Sequence, residues 1–269
     1  MKFTKMQGTG NDYVYINCFE ETVERPEELA VKVSDRHFGI GSDGLILICP
    51  SGQADCRMKM FNADGSESEM CGNGIRCVGK YVYDHHIVEK DEFDVETKAG
   101  IKHLKVTDEG GKAVLITVDM GIPEVTGEVP EPITIDGRSY EFIGISMGNP
   151  HAIYYMDEID GLDLEAMGPA FETHERFPER TNSEFIQVID RSHLRMRVWE
   201  RGSGETWACG TGATASAVAS VLSGRTENTV EVELKGGILS ITWDRESGHV
   251  YMTGPAVEVF QGEFDPEKL

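Results

Sequence analysis

The chain has 269 residues, 39% of them hydrophobic and 27% charged, a composition that suits one large globular domain or two smaller ones. The net charge is −22, and lysine and arginine form no run, which argues against a basic surface for nucleic acid or anionic membrane. The sequence also lacks an apolar signal segment and the roughly 20 consecutive apolar residues of a membrane span. We therefore expect a cytoplasmic protein without a nucleic-acid or membrane partner.

In chain order, the first half begins with a strand and a helix. Residues 13–17 are rich in β-branched and aromatic side chains, which favours a strand. A helix is expected from Pro26, because proline is common at the first helical position, to Gly39. The segment RMKMF at 57–61 alternates polar and apolar residues like a half-buried strand, and residues 75–88 have the pattern of a second helix. Further strands are predicted at 45–48 and 113–118.

The second half repeats this order of elements. A weaker helix is predicted at 163–171, an alternating strand RMRVW at 195–199, and another strand at 229–234. The helix predicted at 213–224 carries no charged residue and many small ones. A helix that is apolar on all sides is a buried helix, and small side chains let neighbouring strands approach it closely. Each half is therefore expected to wrap a mostly antiparallel sheet around one central helix.

The two halves resemble each other in sequence. One constant offset aligns GND (10–12) with GNP (148–150), RMKMF (57–61) with RMRVW (195–199), and MCGNG (70–74) with ACGTG (208–212). After a slip of a single position, VETKAGI (95–101) aligns with VELKGGI (232–238). Shared secondary structure alone does not explain these matches, because glycine, asparagine and cysteine coincide as well as apolar positions. The chain therefore contains an internal duplication.

The duplication defines the expected fold class and domains. We expect an α+β protein of two similar domains, each a mostly antiparallel β-roll around a central helix, related by a pseudo-two-fold axis. The seam falls within 121–137, where three prolines interrupt the periodic pattern. The predicted domains are residues 1–125 and 126–269, with the last few residues packing back on the first domain.

The cysteines fall into two groups. The chain has six, at positions 18, 49, 56, 71, 77 and 209. None belongs to a Cys-x-x-Cys pair or has zinc-type spacing with histidine, so we expect reduced thiols and no structural metal site. Cys71 and Cys209 stand apart because each precedes a Gly-x-Gly turn that leads into a predicted helix. We assign the other four to the core or to loops.

A cysteine at the start of a helix has a distinctive environment. The backbone N–H groups of the first turn carry partial positive charge and bind anions such as carboxylates. The same field is expected to lower the pKa of a thiol from about 8.5 toward neutrality. Glycine in the turn lets the backbone approach a ligand closely. No Gly-Lys-Ser/Thr follows Cys71 or Cys209, so neither turn is a phosphate-binding P-loop.

Three interpretations of Cys71 and Cys209 compete. Both could be core residues, as single cysteines often are, but this leaves the doubled motif and its polar neighbours unexplained. Both could form a redox-active disulfide, although such pairs usually lie close together in sequence. Both could be an acid–base pair, in which a thiolate removes the proton from a carbon next to a carboxylate and a thiol protonates the opposite side. The duplicated motif favours the acid–base pair.

Around these cysteines the sequence resembles the diaminopimelate epimerase family, over essentially its whole length. The matching segments are MQGTGNDYV (6–14), RHFGIGSDGLI (36–46), FNADGSESEMCGNGIRC (61–77), MGNPHAI (147–153), RTNSEF (180–185) and WERGSGETWACGTGA (199–213). The resemblance implies an active site between two domains and a cofactor-independent interconversion of LL- and meso-diaminopimelate. It also implies a place in lysine and peptidoglycan-precursor synthesis, and it is compatible with a homodimer.

The resemblance also implies a role for each matched residue. The implied acid–base residues are Cys71 and Cys209. The residues implied to hold the reacting carboxylate through backbone amides are Gly72, Asn73, Gly210 and Thr211. The residues implied to bind other polar groups of the substrate are Asn11, Asn62, Asn149, Asn182, Glu200 and Arg201, with Arg201 on the distal carboxylate and Glu200 on an ammonium. The residues implied to tune the thiol pKa values are His151 and Glu200.

Each of these residues also has a structural interpretation. Asparagine is common in turns for local backbone reasons. His151 alone would more often be a structural histidine, and Arg201 alone a solvated surface charge. One position departs from the family, because many members have glutamine where this sequence has Gly44. We therefore leave Gly44 out of the expected site.

Rival functions remain at this point. A proline or hydroxyproline racemase would share the fold and use two cysteines, but its substrate has no distal amino-carboxylate. Phenazine-type isomerases share the fold without needing both cysteines. A non-catalytic amino-acid-binding module would need a pocket but not two thiols.

Overall fold

A computed structural model describes all 269 residues of the chain. The chain divides into two compact units, one formed by residues 1–118 and 254–269 and the other by residues 119–253. The division of the duplicated sequence at 125/126 stays a prediction about the repeats. No helix of either unit has the length and apolarity needed to cross a bilayer.

The first unit contains two helices and the strands that surround them. The helices are α1 (Pro26–Ser34) and α2 (Gly72–Asp84). The strands are β1 (Lys2–Gly8), β2 (Asn11–Asn17), β3 (Gly44–Cys49), β4 (Cys56–Asn62), β5 (Glu67–Ser68), β6 (Glu92–Thr97), β7 (Gly100–Glu109) and β8 (Lys112–Gly121). The end of the chain adds β19 (Val257–Glu263) beside β1. The last residues of β8 belong to the second unit.

The second unit is built in the same way. Its helices are α3 (Leu164–Glu172) and α4 (Gly210–Leu222). Its strands are β9 (Glu124–Val125), β10 (Glu131–Ile135), β11 (Arg138–Ser146), β12 (Pro150–Tyr155), β13 (Asn182–Asp190), β14 (His193–Glu200), β15 (Gly204–Glu205), β16 (Thr229–Leu234), β17 (Gly237–Trp243) and β18 (Val250–Gly254).

Strand pairing repeats between the units, which confirms the duplication. In the first unit β1–β2 and β3–β4 are antiparallel, whereas β2–β3 and β4–β6 are parallel. In the second unit β11–β12 and β13–β14 are antiparallel, whereas β12–β13 and β14–β16 are parallel. The registers also agree. Val14 pairs with Leu45, and the equivalent positions of the second repeat, Ala152 and Ser183, pair in the same way. The expected two-domain α+β class is confirmed.

The strands follow the predicted alternation. Along β4 and β14, buried and partly exposed side chains alternate until two consecutive buried residues near the end of each strand. Period-two burial of this kind places one side of a strand against the core. In the first unit the core beside α1 includes Val14, Leu45 and Phe61, and in the second unit an aromatic cluster includes Tyr154 and Phe185.

The helices α2 and α4 are the buried elements of their units. Ten of the thirteen residues of each helix are buried. The hydroxyl groups of α4 are satisfied within the helix, since Thr214 donates to the Gly210 carbonyl and Ser220 to the Ser216 carbonyl, both at 2.8 Å. A small-residue helix can thus be buried without leaving these polar groups unpaired.

Helix boundaries differ from the predictions for local reasons. α1 ends at Ser34 rather than near Gly39, because the Asp35 carboxylate accepts the N–H groups of His37 and Phe38 and turns the chain away from helical geometry. α2 and α4 begin at Gly72 and Gly210, earlier than the predicted 75 and 213, because the preceding cysteine acts as the cap.

Candidate active site

Cys71 occupies the N-cap position of α2. Its backbone is extended, with φ −131° and ψ 122°, and its sulfur accepts the backbone N–H of Gly74 at 3.4 Å. The thiol also donates to the side-chain oxygen of Asn11 at 3.2 Å. The side chain of an N-cap residue accepts the backbone N–H of the second or third helical residue, and the Cys71 sulfur is the acceptor here. The predicted position of Cys71 at a helix start is confirmed.

Cys209 occupies the same position on α4. Its backbone has φ −121° and ψ 108°, and its sulfur accepts the N–H of Gly212 at 3.3 Å. Its sulfur also lies 3.5 Å from the hydroxyl oxygen of Thr211. Cys71 is partly exposed, whereas Cys209 is only 6% exposed. Each unit therefore builds the same sulfur-capped helix start from its own copy of the motif.

The first turns of α2 and α4 can bind an anion. The N–H groups at the start of a helix have no acceptor within the helix and carry partial positive charge. Gly72 and Asn73 supply these groups in the first unit, and Gly210 and Thr211 supply them in the second. A carboxylate next to the reacting carbon is the type of ligand that such a turn stabilises.

The asparagines predicted for the site in the first unit are held by protein groups. Asn11 donates through its Nδ2 to the Asp43 carboxylate at 2.7 Å, which fixes its oxygen toward the Cys71 sulfur. The Asn73 side chain is buried, and its oxygen accepts from Arg76 at 3.0 Å. Asn62, at the end of β4, donates to the Ser66 hydroxyl at 3.0 Å and is partly exposed.

Around Cys209 a chain of polar contacts leads away from the sulfur. The Thr211 hydroxyl accepts from Nδ2 of Asn149 at 3.3 Å, and Oδ1 of Asn149 lies 3.1 Å from Nε2 of His151. Nδ1 of His151 lies 2.7 Å from the Glu184 carboxylate. The structure therefore brings Asn149, His151 and Thr211 together beside Cys209.

Asn182, the first residue of β13, contacts Arg201, which follows the last residue of β14. Asn182 is buried, donates to the Pro150 carbonyl at 2.7 Å and accepts the backbone N–H of Arg201 at 3.0 Å. The Arg201 side chain is exposed, and its one hydrogen bond joins Nη1 to the Glu179 carbonyl at 3.3 Å. Asn182 therefore fixes the backbone of Arg201, whose guanidinium has no carboxylate partner in the protein.

The electrostatics of Cys209 correct one sequence-based expectation. The helix start was expected to lower the thiol pKa, but the pKa of Cys209 is raised well above its usual value by burial and by the negative charges of Glu200 and Glu184. Burial also raises the pKa of Glu200, whose carboxylate accepts a hydrogen bond from Thr206. Desolvation and two carboxylates thus outweigh the helix field at this thiol.

Three potential metal donors lie near one another in the second unit. The ligand atoms of His151, Glu184 and Cys209 are all within 4.8 Å of each other. The first two are hydrogen-bonded to each other, and the Cys209 sulfur already accepts from Gly212. Since these atoms are engaged with the protein, we assign no metal to them.

Comparison with known families identifies the chain. The family model described as diaminopimelate epimerase matches residues 3–126 and 143–259. The chain belongs to the diaminopimelate epimerase family. The resemblance and the enzyme class inferred from the sequence are confirmed.

Full-length relatives agree with this family. A diaminopimelate epimerase from Desulfovibrio desulfuricans is 59% identical, over 98% of both chains. One from Acetivibrio thermocellus is 58% identical over 100% of both, and one from Methanococcus maripaludis is 54% identical over 98% of this chain and 100% of its own.

Solved structures show the same fold at low identity. A Bacillus anthracis protein of the PhzF phenazine biosynthesis family has a TM-score of 0.75 and 19% identity, and covers 98% of both chains. A hydroxyproline epimerase from Agrobacterium vitis, with bound trans-4-hydroxy-L-proline, has a TM-score of 0.75 and 15% identity, over 97% of this chain and 91% of its own. These likenesses concern the fold alone.

Sequence reasoning missed two buried charged residues near the cysteines of this family member. Arg76 is fully buried and donates to the Gly72 carbonyl at 3.1 Å and to Asn73. Glu184 is fully buried against His151. The repeat alignment contained a signal for Glu184, because it places this glutamate on Ile46, a buried apolar residue.

Proposed function

We propose that this chain interconverts LL- and meso-diaminopimelate without a cofactor, with Cys71 and Cys209 as its two acid–base residues. The observation that carries the proposal is the repeated sulfur cap. In each unit a cysteine precedes a buried helix and accepts the N–H of the glycine three residues later, at 3.4 and 3.3 Å. A core role does not require the same polar geometry twice, whereas a two-base reaction requires two equivalent groups.

In the proposed reaction one sulfur is a thiolate and the other is a thiol. The thiolate takes the proton from the α-carbon, so the C–H bond breaks, an S–H bond forms and the electron pair spreads onto the α-carboxylate. The thiol then gives its proton to the opposite side of the carbon and becomes a thiolate. Backbone N–H groups at the helix starts stabilise the negative charge while it resides on the carboxylate.

Different surroundings of the two thiols support an assignment of their resting states. Burial and the charges of Glu200 and Glu184 raise the pKa of Cys209, which favours its protonated form. In the first unit the buried Arg76 interacts electrostatically with Cys71. Burial lowers the pKa of Arg76, and the neighbouring Cys77 and Cys71 oppose this. We therefore assign the retained proton of the pair to Cys209.

The remaining polar residues suit a long substrate with charges at both ends. Arg201 offers an exposed guanidinium without a carboxylate partner, and its planar fork matches a distal carboxylate. Glu200 is a nearby carboxylate for an ammonium, and Asn11, Asn62, Asn149 and Asn182 supply amide groups. Proline has no distal amino-carboxylate for Arg201 and Glu200, which makes a proline racemase the less well supported alternative.

The cellular context of the proposal follows from the chemistry. All six cysteines are free, and a thiol pair remains active only where thiols stay reduced. We therefore propose a cytoplasmic enzyme of lysine and peptidoglycan-precursor synthesis. We also propose that the enzyme is a homodimer.

The substrate is tested directly with purified, reduced protein. Incubation with LL-diaminopimelate should produce the meso isomer until the two forms reach equilibrium, as followed by chiral chromatography. L-proline and trans-4-hydroxy-L-proline, tested under the same conditions, should remain unchanged. Racemisation of proline with diaminopimelate inert would reject the proposal in favour of the racemase.

A further inference from the structure

Glu184 is a buried carboxylate that the proposed reaction does not use. Its side chain has no solvent exposure, and the imidazole of His151, also unexposed, lies 2.7 Å from Oε1. The second oxygen, Oε2, is buried and has no hydrogen-bond partner. Burying a carboxylate costs free energy unless it is paired, so one imidazole leaves this group only partly compensated.

The carboxylate lies against the start of α4. A methyl group added at Gly212 would meet Oε1 of Glu184 at 2.6 Å and the Cys209 sulfur at 3.2 Å. Gly212 is the residue whose N–H caps the Cys209 sulfur. The absence of a side chain at Gly212 therefore gives Glu184 its place beside the thiol.

The same place in the first unit is apolar. A methyl group added at Gly74, the counterpart of Gly212, would meet Cδ1 of Ile46 at 2.7 Å. Ile46 is the counterpart of Glu184 in the repeat alignment. Two thiols with the same helix cap thus have an alkyl group at one copy and a carboxylate at the other.

His151 fixes the direction of the hydrogen bonds around Glu184. Asn149 donates a hydrogen bond through Nδ2 to Thr211, so its Oδ1 is the atom that accepts a hydrogen bond from Nε2 of His151. With Nε2 as the donor to Asn149, Nδ1 is left to meet Oε1 of Glu184 at 2.7 Å. The imidazole is therefore held between Asn149 and Glu184, and its contact fixes the position of the carboxylate.

We propose that Glu184 is a positioning residue that makes the two thiols unequal, because its charge keeps the resting proton on Cys209. This inference rests on the proposed function for its role in turnover. Glu184 does not touch the reacting carbon in this account and acts only through the sulfur and through His151.

The charged and titratable groups around Cys209 come from three strands. His151 lies on β12, Glu184 on β13 and Glu200 on β14. Burial and then both glutamates raise the pKa of Cys209, and burial and then Glu184 raise that of Tyr154. Because two carboxylates act on one sulfur, removal of Glu184 should lower the pKa of Cys209 without restoring its ordinary value.

The test measures thiol reactivity rather than turnover. Iodoacetamide alkylation of Cys209 is followed against pH by peptide mass spectrometry in the wild type and in Glu184→Gln. At a pH below the pKa, each unit by which the pKa falls gives tenfold more thiolate. The less basic thiolate is also a weaker nucleophile, so the rate of alkylation should rise about threefold for each unit. A Cys209 pH profile in Glu184→Gln that coincides with the wild type, or lies at higher pH, would overturn the proposal.

A matched control separates charge from packing. Glu172 is also buried in the second unit, but it accepts from Trp199 at 2.8 Å, and Glu172→Gln should leave the Cys209 profile unchanged. Glu184→Ile gives the second repeat the residue that the first repeat has at this position, Ile46. It should shift the pH profile of Cys209 alkylation in the same direction as Glu184→Gln. An equal shift in Glu172→Gln would assign the effect to loosened packing and reject the proposal.

A second measurement uses the unaltered protein. Nitrogen NMR of labelled imidazoles, with the His151 signal assigned by its loss in His151→Asn, should show Nε2 protonated at neutral pH. An unprotonated Nε2 would contradict the arrangement. Failure to epimerise diaminopimelate would reject the proposed function but leave both of these results intact, so the two failures are distinguishable.

Discussion

The sulfur of Cys209 accepts the backbone N–H of Gly212 at 3.3 Å, so a thiol, rather than a hydroxyl or carboxylate, caps a buried helix. The same relationship joins Cys71 and Gly74 at 3.4 Å in the other unit. A cap of this kind fixes the direction of the sulfur and places it beside the N–H groups of the first helical turn. The geometry that stabilises the helix is therefore also the geometry that the proposed chemistry uses.

Replacing either capping cysteine should stop the reaction without unfolding the protein. Cys71→Ala and Cys209→Ala each remove one of two acid–base groups, and we expect kcat to fall by at least about 10³-fold. Loss of one cap costs about 1 kcal/mol, which a domain of this size tolerates. Chiral chromatography measures activity, and circular dichroism confirms the fold. Full activity in either variant would contradict the two-base mechanism, and Cys56→Ala should remain active as the control.

Arg201 should determine substrate affinity more than the rate of proton transfer. Arg201→Gln removes the proposed partner of the distal carboxylate, and we expect KM to rise about 10- to 100-fold with a smaller change in kcat. Arg201→Lys should restore only part of the affinity, because a point charge does not reproduce a bidentate contact. The control is Arg191→Gln, which removes an exposed ion pair with Glu227. An unchanged KM in Arg201→Gln would remove Arg201 from the site.

The packing around Gly44 leaves no space for a side chain at this position. A methyl group there would lie 2.2 Å from the Phe61 carbonyl oxygen and 2.8 Å from Tyr13, so the backbone of β3 or β4 must move. We expect Gly44→Ala to lower the free energy of unfolding by about 1–3 kcal/mol in urea titrations. Gly52→Ala is the control, because nothing lies within 4 Å of its added methyl group. Equal stability of the two variants would contradict this packing.

Alkaline pH should destabilise the fold partly through Cys77. Burial raises the pKa of Cys77 to about 11 from an ordinary value of 9.0. Between these values the unfolded chain has lost the proton that the folded protein keeps, so stability falls as pH rises. The contribution of one such group is at most about 1.4 kcal/mol per pH unit.

The variant Cys77→Ala isolates this contribution. Ala215 occupies the matching position of α4, which makes alanine the natural replacement. Urea unfolding at pH 8, 9 and 10 should show a shallower loss of stability above pH 9 in the variant, with parallel behaviour below it. The same slope in both proteins would mean that Cys77 ionises normally in the folded state.

Much of the architecture was predictable because the sequence contains an internal duplication. The alternation of RMKMF and RMRVW predicted β4 and β14, and the constant offset between the repeats predicted two similar domains, whose strand registers agree in the structure. Helix ends were less predictable. The end of α1 depends on the Asp35 carboxylate, which competes for backbone N–H groups in a way that periodicity does not reveal.

The candidate site was predictable where motifs repeat and less so where they diverge. The doubled Cys-Gly-x-Gly motif indicated both thiols before any geometry was known. Sequence reasoning missed Glu184 because a glutamate in a strand is normally taken to lie on the solvent-exposed side. Only the structure shows that Glu184 and His151 are buried together and in contact. The pKa of Cys209 was also mispredicted, because burial cannot be judged from a motif.

The isotopic content of early reaction products tests the central claim most directly. LL-diaminopimelate is incubated in deuterated water with the wild-type protein, and both isomers are isolated after a few per cent conversion. Two separate bases predict that the new meso isomer carries solvent deuterium at the inverted carbon while the recovered LL isomer retains its protium. Equal deuterium in both isomers, or protium retained in the product, would show that one group moves the proton and would contradict the roles of Cys71 and Cys209.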